Sequence, residues 1–350
     1  MQYSDIRIEQ FRSIERLDLE DFSRINLFTG KNNCGKTTIL EALFILSGMS
    51  NPQLPVTINN LRDLVLTSDD DFRYIFYNLD FANEPYIEAS LDKVKRTLRI
   101  KPSHSSVTAN LSPEIEQKKI IDQSLNVSTS NIKMPVNGLI LEFTNKNPQQ
   151  KYTSVLSLTQ PRFVIPNDYT ETLHCAFQTP QNTVLGLDKR LENIIVDKKV
   201  NDIIEIIREI EPQVSDIRMG ANGMIYLDIG IQKLIPLNIL GDGIRRILSL
   251  IAAAIDMKNG ILLIDEIENG FHFSSLKVLW KALLKTSKAY DVQIFATTHS
   301  YECIAALSEE SKGEEDIRLY RIEKKNGHHK ALTYSSEMVR SGIENRFEVR

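Results

Sequence analysis

Three cysteines, Cys34, Cys175 and Cys303, are all that the chain carries. The number is odd and no two of them have metal-ligand spacing, so neither a disulfide scaffold nor a thiolate metal site is expected, and a reducing compartment is. No stretch approaches the roughly 18 consecutive apolar residues that cross a bilayer, and residues 1–10 mix charged with apolar side chains. A cytoplasmic protein without a membrane partner is the expectation. Charge of one sign is lacking as well. The formal net charge of −4 leaves no global positive field to draw in nucleic acid, and composition is silent on a local basic patch. What is present is apolar: 42% of the 350 residues are hydrophobic, enough for a substantial core in one large domain or two ordinary ones.

Residues 3–11 and 25–29 read as short strands, the second running into a Gly-bearing turn before the helix-favouring apolar run 38–46. Pro, Asn and Thr over residues 48–60 predict a surface loop, and Asp69-Asp70-Asp71 is a further breaker. Alternation over 86–100 and 139–164 predicts antiparallel strands, whereas 102–135 is Ser/Asn/Lys-rich and weakly patterned. One apolar face recurs from Leu187 to Ile210, with Pro212 as its stop. A hairpin about Gly220-Ala221-Asn222-Gly223 follows. The chain then alternates helix (243–255), buried strand (261–264), helix (274–288) and strand (292–296), which has parallel-sheet character. The acidic run 308–316 reads as a solvated loop, and Asn326-Gly327 as the turn of a last hairpin.

Gly30-Lys31-Asn32-Asn33-Cys34-Gly35-Lys36-Thr37, followed by Thr38, places two glycines where the backbone must curl so that successive N–H groups face phosphate oxygens. Lys36 then reaches the β- and γ-phosphates and the Thr37 hydroxyl ligates Mg²⁺. The flanking strand and helix are the context such a loop requires. Asp265-Glu266 ends the apolar run 261–264, so two acids stand at the carboxyl end of a buried strand, where open α/β sheets bind ligands. Asp265 suits the Mg²⁺ shell, and Glu266 suits orienting or deprotonating a water against the γ-phosphate. His299 ends the next strand and suits contact with that phosphate. Adjacent His328 and His329 point to opposite strand faces, so no metal site is read there, and Trp280 is read as core.

In this order the motifs resemble the ABC-type ATPase heads, and more closely the bacterial SMC-like and OLD-like group of AAA-family ATP-binding proteins. Ile8-Glu9-Gln10-Phe11-Arg12-Ser13-Ile14 is similar to that group's opening strand, and residues 265–272 to its acid pair and following loop. The resemblance implies an α/β P-loop NTPase of the ABC ATPase-head type, a mixed sheet core with an inserted helical and antiparallel lobe. Residues 1–350 then form one head, with a discontinuous core of about 1–100 and 215–350 and an inserted lobe at 101–214. It further implies ATP with Mg²⁺, a homodimer or higher oligomer, and a signature segment at Leu240-Gly241-Asp242-Gly243 that caps the γ-phosphate bound by the opposite subunit. Gly241 stands where the family has a serine, which implies slow turnover. Neither Gln160 nor Asn78 is assigned as the glutamine that usually reaches Mg²⁺.

The group implies three outputs: an ATPase sensor regulating a separate effector such as a nuclease, as in antiviral defence; a DNA-binding repair clamp; or a non-hydrolysing scaffold. No heptad arm is visible between Gly48 and Leu237, which favours the sensor. Residues 335–350 lack a Toprim-like acid set, so nuclease activity is not expected of this polypeptide.

Overall fold

The computed structural model describes residues 1–65, 69–104, 136–145, 150–158, 163–209, 211–312 and 314–344. The chain opens with the antiparallel pair β1 (Tyr3–Phe11) and β2 (Ile14–Leu19), and β3 (Ile25–Thr29) then leaves for a second sheet. After α1 (Lys36–Ser47) and α2 (Leu54–Asn60), strands β4 (Tyr86–Leu91), β5 (Val94–His104), β6 (Val136–Asn145), β7 (Lys151–Ser157) and β8 (Phe163–Val164) rejoin the first. Its order is β2-β1-β4-β5-β6-β7-β8, antiparallel throughout. Then follow β9 (Cys175–Gln178), α3 (Leu187–Val196), α4 (Val200–Ile207), the small sheet β10 (Asp216–Met219), β11 (Ile225–Asp228) and β12 (Ile235–Pro236), and α5 (Asp242–Asp256). The chain continues through β13 (Ile261–Ile264), α6 (Phe273–Tyr290), β14 (Gln293–Thr297), α7 (Tyr301–Glu310), β15 (Ile317–Lys325), β16 (His328–Ser335) and α8 (Ser336–Glu344).

The second sheet runs β16-β15-β3-β14-β13-β9, parallel except at β16. Every residue of β3, β13 and β14 is buried. That is the signature of parallel strands covered on both faces. Alternate side chains feed two cores. Leu27, Leu262, Ile264, Ile294 and Ala296 pack into the core built on helices α3 to α7, while Phe28, Ile261, Leu263 and Phe295 pack with α1 and the antiparallel sheet. The carboxyl ends of β3, β14 and β13 therefore lie side by side, and from them spring the phosphate loop, His299 and the acid pair.

Several expectations need adjusting. The loop expected at 48–60 contains α2, because Pro55 sits in its first turn, where no amide hydrogen bond is needed. The single helical run from Leu187 is two helices, broken where Lys198 takes a left-handed conformation; Ile210 lies outside the described residues, as do 105–135. The acidic loop at 308–316 begins as the last turn of α7 and is held by ion pairs Lys277–Glu309 and Lys288–Glu314. The described parts of 101–214 fall in three places: β6 to β8 extend the antiparallel sheet, β9 edges the parallel sheet, and α3 and α4 pack beside α5. Among the described residues no helix is long and apolar enough to cross a membrane.

Candidate functional site

The loop between β3 and α1 packs tightly against β15. Gly30, at φ +136°, has no room for a side chain, since a Cβ there would run into the Ile322 carbonyl oxygen. Gly35 caps α1 at φ +94° without any side-chain cap, leaving the helix's first amides free for an anion. The Lys36 ammonium is folded back on the loop, donating to the carbonyls of Gly30 (2.8 Å) and Lys31 (3.0 Å) and lying 3.3 Å from His299 Nδ1. Burial pulls its pKa below the usual lysine value, opposed by Cys34, Asp265 and Glu268 nearby.

Thr37 Oγ1 lies 3.0 Å from each Asp265 oxygen, and the Thr297 hydroxyl donates to Asp265 Oδ1 at 2.6 Å. Burial raises the Asp265 pKa, and these hydroxyl hydrogen bonds oppose it. A threonine hydroxyl beside a carboxylate is a pair of hard oxygen donors, and it fits Mg²⁺. Glu266 follows in a left-handed conformation, φ +48°, with its amide donating to Thr297 Oγ1 at 2.8 Å and one carboxylate oxygen accepting from Asn269 Nδ2 at 3.2 Å. That turn aims Glu266 into the same cleft that Asn32, Asn33, Cys34, Lys36, Thr37 and His299 line. Its volume is about 740 Å³, within the range of small-ligand sites. The amide of His299 donates to Glu268 Oε1 at 2.6 Å, so the acid-pair loop also fixes the histidine's strand end.

Strand order thus joins three of the sequence-predicted groups. The fourth stands apart: none of Leu240, Gly241, Asp242 and Gly243 lines the cleft. Gly241 adopts φ +97°, ψ 154° ahead of α5, and Arg246 on that helix donates to the Asn269 carbonyl at 3.1 Å, tying the segment to the acid-pair loop.

Sequence reasoning missed Glu41 and Arg62. Glu41 is buried one turn beyond Thr37; it accepts from Arg62 at 2.6 and 3.0 Å, and Arg12 Nε lies 2.9 Å away as an ion pair outside hydrogen-bond alignment. Two guanidiniums share one carboxylate at the rim of the cleft, and burial lowers the Arg12 pKa to about 10. No spacing signals this triad, because its members come from the turn after β1, from α1 and from the segment after α2. His272, read as a loop residue, caps α6 by accepting from the Ser274 amide. Trp280 is fully buried and donates to the Cys303 carbonyl at 3.1 Å.

Comparison with known proteins bears on the site's chemistry. A family described as "AAA ATPase domain" matches residues 1–304. The chain is similar to an ATP/GTP phosphatase of Helicobacter pylori, at 25% identity over 97% of each protein. It is 29% identical to the DNA replication and repair protein RecF of Francisella tularensis over 37% of this chain and 36% of that one. Among solved structures it resembles the SMC head crystallised with the C-winged helix domain of ScpA, with a TM-score of 0.51, 12% identity and coverage of 96% and 98%. At that identity the likeness is one of fold: a mixed α/β P-loop ATPase head.

Proposed function

Because the chain belongs to the AAA ATPase domain family, we propose that it hydrolyses ATP in the cleft between the phosphate loop and the acid pair, and that a second copy completes the site. The observation that carries this reading is the convergence of three adjacent strand ends, with Lys36 3.3 Å from His299 and Thr37 3.0 Å from Asp265. The loop amides bind the phosphates, and Lys36 exchanges the Gly30 and Lys31 carbonyls for phosphate oxygens. Thr37 and Asp265 would hold Mg²⁺, which supplies charge neutralisation on the phosphates. Glu266 orients a water and takes its proton as the water oxygen bonds to the γ-phosphorus and the bond to ADP breaks. His299 donates to the γ-phosphate. Leu240 to Gly243 stand outside the chain's own cleft, so their glycine-flanked helix start is assigned to the nucleotide of the partner copy.

Three proteins test the assignment by nucleotide titration and phosphate release: wild type, Lys36→Ala and Glu266→Gln. Lys36→Ala is expected to lose nucleotide binding. Glu266→Gln is expected to keep it while turnover falls by about 10²- to 10⁴-fold, the usual share of a general base. Wild-type turnover in Glu266→Gln sinks the role given to that carboxylate.

The output proposed is ATP-dependent regulation of a separate effector protein, of the kind that serves antiviral defence. The partial similarity to RecF favours a second reading, a DNA-binding repair clamp. Turnover stimulated by duplex DNA selects the clamp, and turnover indifferent to DNA selects the effector reading.

A further inference from the structure

One wall of the cleft has no part in the phosphate chemistry. Tyr74, Tyr77, Asn78 and Leu79 line it. The segment is anchored rather than loosely draped. The Arg12 amide donates to the Ile75 carbonyl at 2.9 Å, Phe76 pairs with Phe11 and is buried edge-on to Phe81 at 5.0 Å, and Asn83 Nδ2 donates to the Tyr77 carbonyl at 3.0 Å. On this base two consecutive non-glycine residues are left-handed, Asn78 at φ +52° and Leu79 at φ +57°. Such a conformation is unfavourable for a leucine, and it persists only where surrounding structure imposes it. Its result is that Leu79 is 55% exposed at the cleft, although it is an apolar side chain next to a buried aromatic cluster. The Asn78 side chain makes no hydrogen bond among the described residues.

We propose that Tyr77, Asn78 and Leu79 form the base subsite of this cleft and that it accepts purine nucleotides without distinguishing adenine from guanine. This inference rests on reading the cleft as a nucleoside-triphosphate site. The phosphate loop reads phosphates and carries no information about the base. Leu79 and Tyr77 offer apolar and aromatic surface to a ring face, and the larger purine covers more of it than a pyrimidine does. Asn78 supplies the polar edge. An amide carries both a carbonyl acceptor and an NH₂ donor. With no partner among the described residues fixing its orientation, it can meet the 6-amino group and N1 of adenine in one flip state and the 6-oxo group and N1–H of guanine in the other.

The test is calorimetric titration of the β,γ-imido analogues of ATP, GTP and CTP, and of tripolyphosphate, with Mg²⁺, into wild type, Asn78→Ala and Leu79→Gly. Wild type is expected to bind the two purine analogues within about threefold of each other and the CTP analogue about tenfold more weakly, given what one base-stacking contact contributes. Leu79→Gly, which also relieves the backbone, is expected to weaken both purine analogues about tenfold and to leave tripolyphosphate unchanged. Asn78→Ala is expected to weaken both purines and not the CTP analogue. Purine affinities unchanged in both variants, or a wild-type preference of about a hundredfold for one purine, overturns the subsite. Lys36→Ala separates the two levels: if it leaves tripolyphosphate binding intact, the nucleotide-site reading fails, whatever the base wall does.

Discussion

Both ring nitrogens of His329 are buried without a hydrogen-bond partner among the described residues, and Nε2 lies 3.4 Å from where a Cβ on Gly35 would stand. Burial, reinforced by Lys324 and His328, lowers its pKa from 6.5 to about 4. The folded chain thus refuses a proton that the unfolded chain accepts. Stability is unaffected by this group above pH 6.5 and falls as the pH drops from there towards about 4. Urea denaturation at pH 5 and pH 7.5 is expected to show a smaller pH effect in His329→Gln than in wild type. Equal pH effects in the two proteins contradict this account of the histidine. Contiguity decides what was legible at this scale. Lys36, Thr37, Asp265 and Glu266 sit in motifs whose spacing states their chemistry, whereas His329, Glu41 and Arg62 meet the site only through folding. The sequence presented His328 and His329 as a pair on opposite faces; nothing in it says that one face packs on the phosphate loop.

The phosphate loop is only as well placed as the helix behind it, and α1 is held at its far end by a buried arginine of β5. Arg96, 2% exposed along its side chain, pairs with Glu171 at 2.5 Å and donates to the carbonyls of Leu46 and Ser47 at the end of α1. A cation there satisfies orphan carbonyls and opposes the helix dipole. Arg96→Met takes the cation from Glu171, which keeps only the Tyr169 hydroxyl and the Thr172 and Leu173 amides, and takes the donor from the Leu46 and Ser47 carbonyls; the cost is about 3–5 kcal/mol, which urea denaturation reads directly. A cost below about 1 kcal/mol, the range of an exposed pair, contradicts the anchoring role. At this scale the buried strands and the helices between them were legible from periodicity, since 261–264 and 292–296 are apolar runs of strand length. The misread elements are those in which composition and context disagree. The proline, asparagine and threonine near 54–60 favour a loop, yet a short helix packs against α1 there.

For the whole molecule, the parallel sheet gathers Lys36, Thr37, Asp265, Glu266 and His299 at three adjacent strand ends, and none of Leu240 to Gly243 lines the cleft there. The antiparallel sheet and its loops build the remaining wall. The proposed sharing between two copies came only from the resemblance, because no spacing within one chain states which nucleotide a motif serves. If each site takes its phosphate loop from one copy and its signature segment from the other, two differently disabled chains can repair each other. Gly243→Glu suits the second lesion. A Cβ at Gly243 meets nothing within 4 Å, so the fold tolerates the change, while a carboxylate at the start of α5 repels phosphate. The measurement is phosphate release by Lys36→Ala, by Gly243→Glu and by their equimolar mixture. Each variant alone is expected to be inactive and the mixture to recover about a quarter of wild-type turnover, as random pairing into symmetric dimers gives. Full activity of Gly243→Glu alone, or a mixture as inactive as its parts, contradicts a site shared between two copies.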